Sequence, residues 1–524
     1  MAGENEIRVK SVAIIGAGAA GAVTAAAFKA ENYFEHIRVF ERRETAGGTW
    51  QVPPGTPVPS LWIYDADPPP GPPIQPGSLG GEVDPPLEIP ANLPRITPPN
   101  QQERYSQTPV YASVTTNVPD IAMSFSDARF AYGPFAPHYI PRQYIENYFS
   151  THKTDELLVL NTTLEDLSQI PASEKKNGAP NKWKLTLRKY DPAQHVDIWW
   201  EEIFDAVILA NGHYSVPYVP NVKGLKEYSA KFPGRVIHSK LYRSPQPYTS
   251  KKIIIIGNSA SGHDLSEELV STAYLPVYQS RRSTSRWDGD APPAGIEWKP
   301  IIKEYQLDGR IIFNDDTYLD DVDTVIYCTG YQASYPFWNV KANGRPLWDY
   351  AAGKLIGAYW HTFVRDFPTL GVIGVPRSLT FRSFEYQGIA LARLWSGRNA
   401  QPLPSQEEQE KWEAERAERT KREKKRFHDI PWDDGETFEW LDGLFRIAGL
   451  GTLKGEGRIP PALGEDLIWA VEHIRKYPEP GKGNEGDSGE KGDASGALVK
   501  VGGEEGDNEW VLVRRSVKDS LAFI

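Results

Sequence analysis

Apolar residues along this chain fall in short runs broken by glycine turns, and the pattern is legible from residue 11 onward. Ser11–Ile15 reads as a buried strand, Ala19–Lys29 as an alanine-rich helix and Ile37–Glu41 as a second strand. Strand, glycine turn, helix, strand is a βαβ unit, and a fully apolar strand suits a parallel sheet covered on both faces. The run Val12–Phe28, preceded by Arg8 and Lys10, imitates a signal peptide or a short membrane span. Three glycines interrupt it, it is short for a bilayer, and it leads straight into another strand. A soluble, cytoplasmic chain is therefore expected. Further on, Pro141–Thr151 is predicted helical with proline in its first turn. Trp183–Tyr190 and Val196–Trp200 alternate as a hairpin, and Asp205–Ala210 reads as a buried strand.

At Lys252–Ile256 the opening pattern recurs: strand, glycine turn and helix (IIIIGNSASGHDLSEEL), then the strand LPVYQS. The two units lie about 240 residues apart, too far for a solenoid repeat. They predict an α/β fold of two Rossmann-like dinucleotide-binding domains, the second inserted into the first. Residues 405–428 form a charged helix with a capping box (Ser405, Glu408), running from Glu-rich to Lys/Arg-rich as the helix dipole favours. Its KREKKR end, 421–426, reads as a solvated helix terminus rather than a nuclear-import or nucleic-acid patch. Residues 53–99 hold 16 of the 44 prolines and are expected to form an irregular excursion. The Gly/Glu/Asp-rich stretch 478–509 is expected to be a disordered loop before a last strand, WVLVRR.

Composition narrows the function. With 58 Lys+Arg against 69 Asp+Glu the net charge is −11, which argues against nucleic-acid binding. Nine acids against three lysines concentrate about half of that surplus in 478–509. The single cysteine, Cys328, excludes an internal disulfide, a dithiol redox pair and a cysteine zinc site, and no metal is expected.

The turn GAGAAG (Gly16, Ala17, Gly18, Ala19, Ala20, Gly21) follows a strand and opens a helix, where a pyrophosphate sits on the helix N-terminus. Glu41 ends the next strand, placed to hold ribose hydroxyls. The segment TAGGTW, with Gly48, Thr49 and Trp50, follows directly and lets the backbone approach a bulky cofactor, so FAD is expected here. The second turn, GNSASG (Gly257, Asn258, Ser259, Ser261, Gly262), has a serine where the middle glycine belongs. Its next strand ends in Ser280, Arg281 and Arg282 instead of a carboxylate. A hydroxyl and two guanidiniums suit a 2′-phosphate, so NADPH is expected in preference to NADH. Asp264, in the same helix, is assigned to this site, with a plain helix-dipole role as the alternative.

Between the units, FPGRVIHSKLY (232–242) carries Phe232, Gly234, His238 and Tyr242 in the spacing F-x-G-x-x-x-H-x-x-x-Y. This resembles the fingerprint of flavin-containing monooxygenases; the related Baeyer–Villiger enzymes have Trp where Tyr242 stands. TTNVPD (115–120), ANGHYSVPYVPNVKGL (210–225), CTGY (328–331) and SFEYQG (383–388) are similar to other segments of the family, and the long proline-rich excursion looks like that of fungal members. The resemblance implies an enzyme with N,N-dimethylaniline monooxygenase-type activity, in which NADPH reduces FAD and O₂ then adds to the flavin. The resulting C4a-hydroperoxide passes one oxygen atom to a nitrogen or sulfur of a small molecule. It implies Asn117 as the main catalytic side chain, Thr116 lining the same place, and Gln387 approaching the flavin. His238 and Tyr242 are expected to fix the angle between domains, Thr329 and Gly330 to form a returning turn, and Cys328 to be a small buried residue. The FAD domain would comprise residues 1–215 and 325–524, and the NADPH domain 216–324. A Baeyer–Villiger enzyme, an NADPH oxidase and a non-catalytic NADPH sensor are the alternatives; substrate identity and homo-oligomerisation are left open.

Overall fold

The computed structural model describes residues 9–51, 87–100, 107–170, 182–285, 288–376, 378–460, 462–477, 496–501 and 509–514. Ser11–Ile15 pairs in parallel with His36–Phe40 on one side and Ala206–Leu209 on the other, with Ile14 opposite Val39 and Ile208. Leu370–Val372 adds a fourth parallel strand, and short strands at both edges complete a seven-stranded sheet. Successive residues of Ser11–Ile15 face opposite ways, as pleating requires. Val12 and Ile14 enter the core shared with the helices Ala19–Ala30 and Phe381–Ser396, while Ala13 and Ile15 enter a second core. Both faces are buried, and for that reason the strand is apolar throughout.

The alanine-rich helix gains little from side-chain size, but it allows close approach. A Cβ on Gly388 of the facing helix would already stand 3.0 Å from the Thr24 hydroxyl oxygen. The second core lies under a four-stranded antiparallel sheet in which Trp183–Asp191 pairs with Val196–Phe204. The hairpin is therefore longer than the alternation indicates.

The chain leaves the first sheet after Leu209 and builds a separate five-stranded parallel sheet, in the order Val236–His238, Thr324–Tyr327, Lys252–Ile256, Tyr274–Ser280, Ile296–Lys299. It then returns to the first sheet at Ala358, whose edge strands Ala358–Tyr359 and Phe363–Val364 lead to Leu370–Val372. The crossings in both directions are clipped together by Val216–Pro217 pairing with Tyr331–Gln332. This is the two-domain insertion that the repeated unit implies.

Three expectations are corrected. Within the proline-rich stretch, Arg95–Thr97 is an edge strand paired with Asp197–Trp199, since proline beside an edge costs no ladder bond; residues 53–86 lie outside the described residues. Within 478–509, Gly496–Val501 is a strand paired antiparallel with Glu509–Arg514, and 478–495 and 502–508 lie outside the described residues. The charged helix closes at Arg422 and not 428, with its capping box in place.

The end of the proline-rich stretch is fixed by a buried charge cluster. Arg188 donates to Glu165 at 2.7 Å and to Asp197 at 3.1 Å, and all three side chains are under a tenth exposed. Asn100 joins through its N–H to Asp197 and its carbonyl to Arg188. Arg188→Met would leave two buried carboxylates without their cation. It is expected to destabilise the protein by about 3–5 kcal/mol in chemical denaturation.

Candidate active site

Two glycine turns interlock at the carboxyl end of the first sheet. A Cβ on Gly21 would stand 1.9 Å from the Gly16 carbonyl oxygen, so only glycine lets the helix start this close to the turn. Gly48, at φ +57°, comes so near the turn that a Cβ would lie 2.7 Å from the Gly18 Cα. Behind them Glu41, almost fully buried, accepts the N–H of Ala17 at 2.8 Å and that of Arg43 at 2.9 Å. Glu41 thus holds the turn open from below.

A cavity of about 380 Å³ opens on this cradle. Gly16, Gly18, Ala19, Ala20 and Glu41 line it, as do Gly48, Thr49 and Trp50, whereas Ala17 and Gly21 lie one layer back. The buried Thr49 hydroxyl has no partner among the described residues and belongs to the wall. On the far side the wall is made by Ala260, Ser261 and Asp264, from the start of the helix Ala260–Leu269 in the second domain. One cavity therefore spans both dinucleotide turns. Asn117 faces it from the loop before the helix Asp120–Met123. Its neighbour Thr116 does not: it is buried, with its hydroxyl and N–H both bonded to the backbone of Ala136, so it anchors the loop instead of lining the site.

The second turn has the same compactness, since a Cβ on Gly262 would stand 2.2 Å from the Gly257 carbonyl oxygen. Gly257, Asn258, Ser259 and Gly262 shape the turn without lining the cavity. Ser259 is the extended residue before the helix, and the Asn258 amide donates to Ser283 and Asp288. The three residues expected at the 2′-phosphate are held in different ways. The Ser280 hydroxyl is buried and donates to the Pro300 carbonyl at 2.9 Å. Arg281 is paired with Asp288 at 2.8 Å and stacked 3.3 Å over Trp298. Arg282 is exposed and lines an adjoining cavity of about 360 Å³ with Arg426. Gln387 does not line the cavity. It is fully buried, donates to the Thr362 hydroxyl at 2.9 Å and accepts the Gly374 N–H at 3.1 Å, so it supports the wall at Gly374 from behind.

The fingerprint residues His238 and Tyr242 are buried and do not line the cavity. His238 donates its Nε2–H to the Gly330 carbonyl at 3.0 Å, and its Nδ1 accepts the Lys240 N–H. The Tyr242 hydroxyl donates to Glu268 at 2.8 Å. Burial pushes the Cys328 thiol up to about 12, so it is no nucleophile at neutral pH. Tyr111, Lys476 and Tyr477 also line the main cavity and were not singled out in the sequence. Lys476 and Tyr477 come from a segment with no motif, and nothing short of the fold brings them to the site.

The geometry can be set against known proteins. Residues 98–287 and 294–447 match the family described as flavin-binding monooxygenase-like, and 14–58 match an NAD(P)-binding Rossmann-like domain. Relatives in Arabidopsis thaliana include the flavin-containing monooxygenase FMO GS-OX5, 31% identical over 412 residues and 76% of each chain. FMO GS-OX-like 9 is 30% identical over 406 residues, 76% of this chain and 78% of the relative. The structure of S-allyl-L-cysteine S-oxygenase from Allium sativum superposes with a TM-score of 0.66 at 25% identity, covering 90% of this chain and 93% of that one. Cyclohexanone monooxygenase, 12% identical with a TM-score of 0.52 over 85% of this chain and 98% of that one, shares the fold.

The protein is thus a flavoprotein monooxygenase, an oxidoreductase that uses FAD, NADPH and O₂. More particularly, the chain belongs to the flavin-binding monooxygenase-like family. The interlocked glycines and the unpartnered Thr49 hydroxyl fit a dinucleotide lying across the first turn. Among the described residues, no helix is long and apolar enough to cross a membrane.

Burial holds His238 and His428 down to about 3 and His138 to about 4, all nearly inaccessible. Below about pH 6.5 the unfolded chain binds protons at these positions that the folded chain refuses. Stability therefore falls as pH drops from about 6.5 towards 4, each group contributing up to about 1.4 kcal/mol per pH unit, and is unaffected by them above that window. Urea midpoints measured between pH 7.5 and 4.5 should decline accordingly. Replacing His138 by Asn should flatten the decline.

Proposed function

We propose that this enzyme transfers one oxygen atom to a soft nucleophile, a nitrogen or sulfur atom of a small molecule. The observation that carries the reading is the single cavity joining both dinucleotide turns, with the Asn117 amide exposed in its wall. Bound FAD supplies the oxygen activation and NADPH the hydride. The chain's part is to bind, orient and exclude water. Among the described residues, the two carboxylates in the wall are already committed: Glu41 to backbone N–H groups, Asp264 to phenols and an ammonium. Neither is available as a general base, in keeping with a reaction whose reagent is the cofactor. Val110, Met123, Phe381 and Phe384 give one part of the wall an apolar surface. Such a surface excludes water and disfavours a protonated amine, so a nitrogen substrate would enter as the free base, and a thioether needs no deprotonation. The S-oxygenase named above supports sulfur as the acceptor.

Asn117 is assigned the catalytic role, its amide hydrogen-bonding the reacting oxygen. Tyr242, the residue that separates the two related fingerprints, is buried against Glu268 away from the cavity, so it does not select the substrate by contact. The 2′-phosphate of NADPH is assigned to Arg282, since Arg281 is held by Asp288.

Incubation with NADPH, O₂ and a panel of tertiary amines, thioethers and ketones tests the reading. N-oxides or sulfoxides equimolar with NADPH consumed are expected; ester products from ketones would overturn it. Asn117→Ala should keep NADPH oxidation while lowering oxygenated product on the order of a hundredfold, with hydrogen peroxide released in its place. Arg282→Ala should reduce the preference for NADPH over NADH by about ten- to a hundredfold, with Arg281→Ala changing it much less. Equal effects would displace the phosphate from Arg282.

A further inference from the structure

The helix Ala260–Leu269 carries three carboxylates: Glu267 pairs with His263 of the same helix at 3.1 Å, while Asp264 and Glu268, one turn apart, both turn towards the other domain. Glu268 accepts the hydroxyls of Tyr242 at 2.8 Å and Ser113 at 3.1 Å. Asp264 takes three donors: the Tyr111 hydroxyl at 2.6 Å, the Tyr477 hydroxyl at 2.5 Å and the Lys476 ammonium at 3.1 Å. Tyr477 also sets its ring edge-on to His263, 4.9 Å between centroids. Lys476 and Tyr477 are 212 and 213 residues from Asp264 in sequence. They nevertheless share the cavity wall with Ala260 and Ser261, at the first turn of this helix.

That turn is where a nicotinamide dinucleotide presents its pyrophosphate, which carries two negative charges. Asp264 in the same wall would repel it if it stood alone. Lys476 cancels that charge, and two phenolic donors spread what remains. Asp264 is mostly buried (17% exposed) and Lys476 nearly as much (18%), so solvent screens the pair weakly.

We propose that Lys476 and Tyr477 form a clasp that neutralises Asp264 and retains NADPH by its pyrophosphate half. The proposal rests on the reading that NADPH occupies this turn. Asp264 then acts as a positioning residue: it ties the clasp to the NADPH domain and is not itself a ligand for the ribose. Because the pyrophosphate is common to both nicotinamide dinucleotides, the clasp acts equally on NADP⁺ and NAD⁺. Arg282 acts on NADP⁺ alone.

The test measures dissociation constants of NADP⁺ and NAD⁺ by calorimetry on the full-length, FAD-loaded enzyme. Lys476→Met should weaken both nucleotides by roughly tenfold or more, and Tyr477→Phe by less. Lys476→Arg should bind nearly as the wild type. The double variant D264N/K476M should recover to within about threefold of wild type, because the unopposed charge is gone. FAD absorbance and the melting temperature of the same samples report whether the fold is intact. Unchanged constants in Lys476→Met would overturn the clasp. So would a loss that Asp264→Asn does not rescue, or one confined to NADP⁺. Failure of the wild-type enzyme to bind NADP⁺ would instead overturn the assignment of the turn to NADPH, a different and recognisable result.

Discussion

The close contact between the two glycine turns is the constraint on which the rest depends. Gly48 meets Gly18 at a distance where no side chain could stand, and Gly21 meets the Gly16 carbonyl in the same way. These contacts set the position of the helix Ala19–Ala30 over the sheet and the floor of the cavity. They also explain the buried Glu41: with side chains excluded, a carboxylate from the neighbouring strand is what satisfies the N–H of Ala17. A larger residue at either glycine would move the floor, the helix and the sheet edge together.

The fingerprint 232–242 acquires a physical meaning in this arrangement. His238 bonds Gly330, beside the strand pair where the chain crosses back, and Tyr242 supports Glu268, which in turn holds Ser113 of the loop leading to Asn117. The motif is a bracket between two sheets. His238 and Tyr242 are buried and neither lines the cavity. A neutral, buried imidazole suits such a bracket, since a charge there would have to be solvated at each movement.

Both βαβ units were legible because glycine spacing and fully apolar strands are local signals. The hairpin at 183–204 was legible for the same reason. Direction was not. Sequence puts Ser280 and Arg281 at the end of the right strand, but it does not say that the hydroxyl turns to Pro300 or that Asp288 captures the guanidinium. Likewise Thr116 and Asn117 are adjacent, and one turns into the protein while the other turns to the cavity. Gln387 lies in a helix buried on nearly every side, where resemblance gives a position but no facing. Arg95–Thr97 was hidden by its prolines. Lys476 and Tyr477 were hidden by sequence distance, which no local pattern can bridge.

The proline-rich excursion is held at both ends. Gln51, next to the cavity residue Trp50, is tied through its carbonyl to the Thr108 hydroxyl, and Asn100 is tied to the buried Arg188 cluster. Between flanks anchored in this way, extra length in a flexible connection costs only about 0.6 kcal/mol per doubling. Descendants of this chain could therefore lengthen, shorten or rewrite the excursion without disturbing either nucleotide domain, and evolution has a place to try new sequence next to a reaction centre it must leave alone.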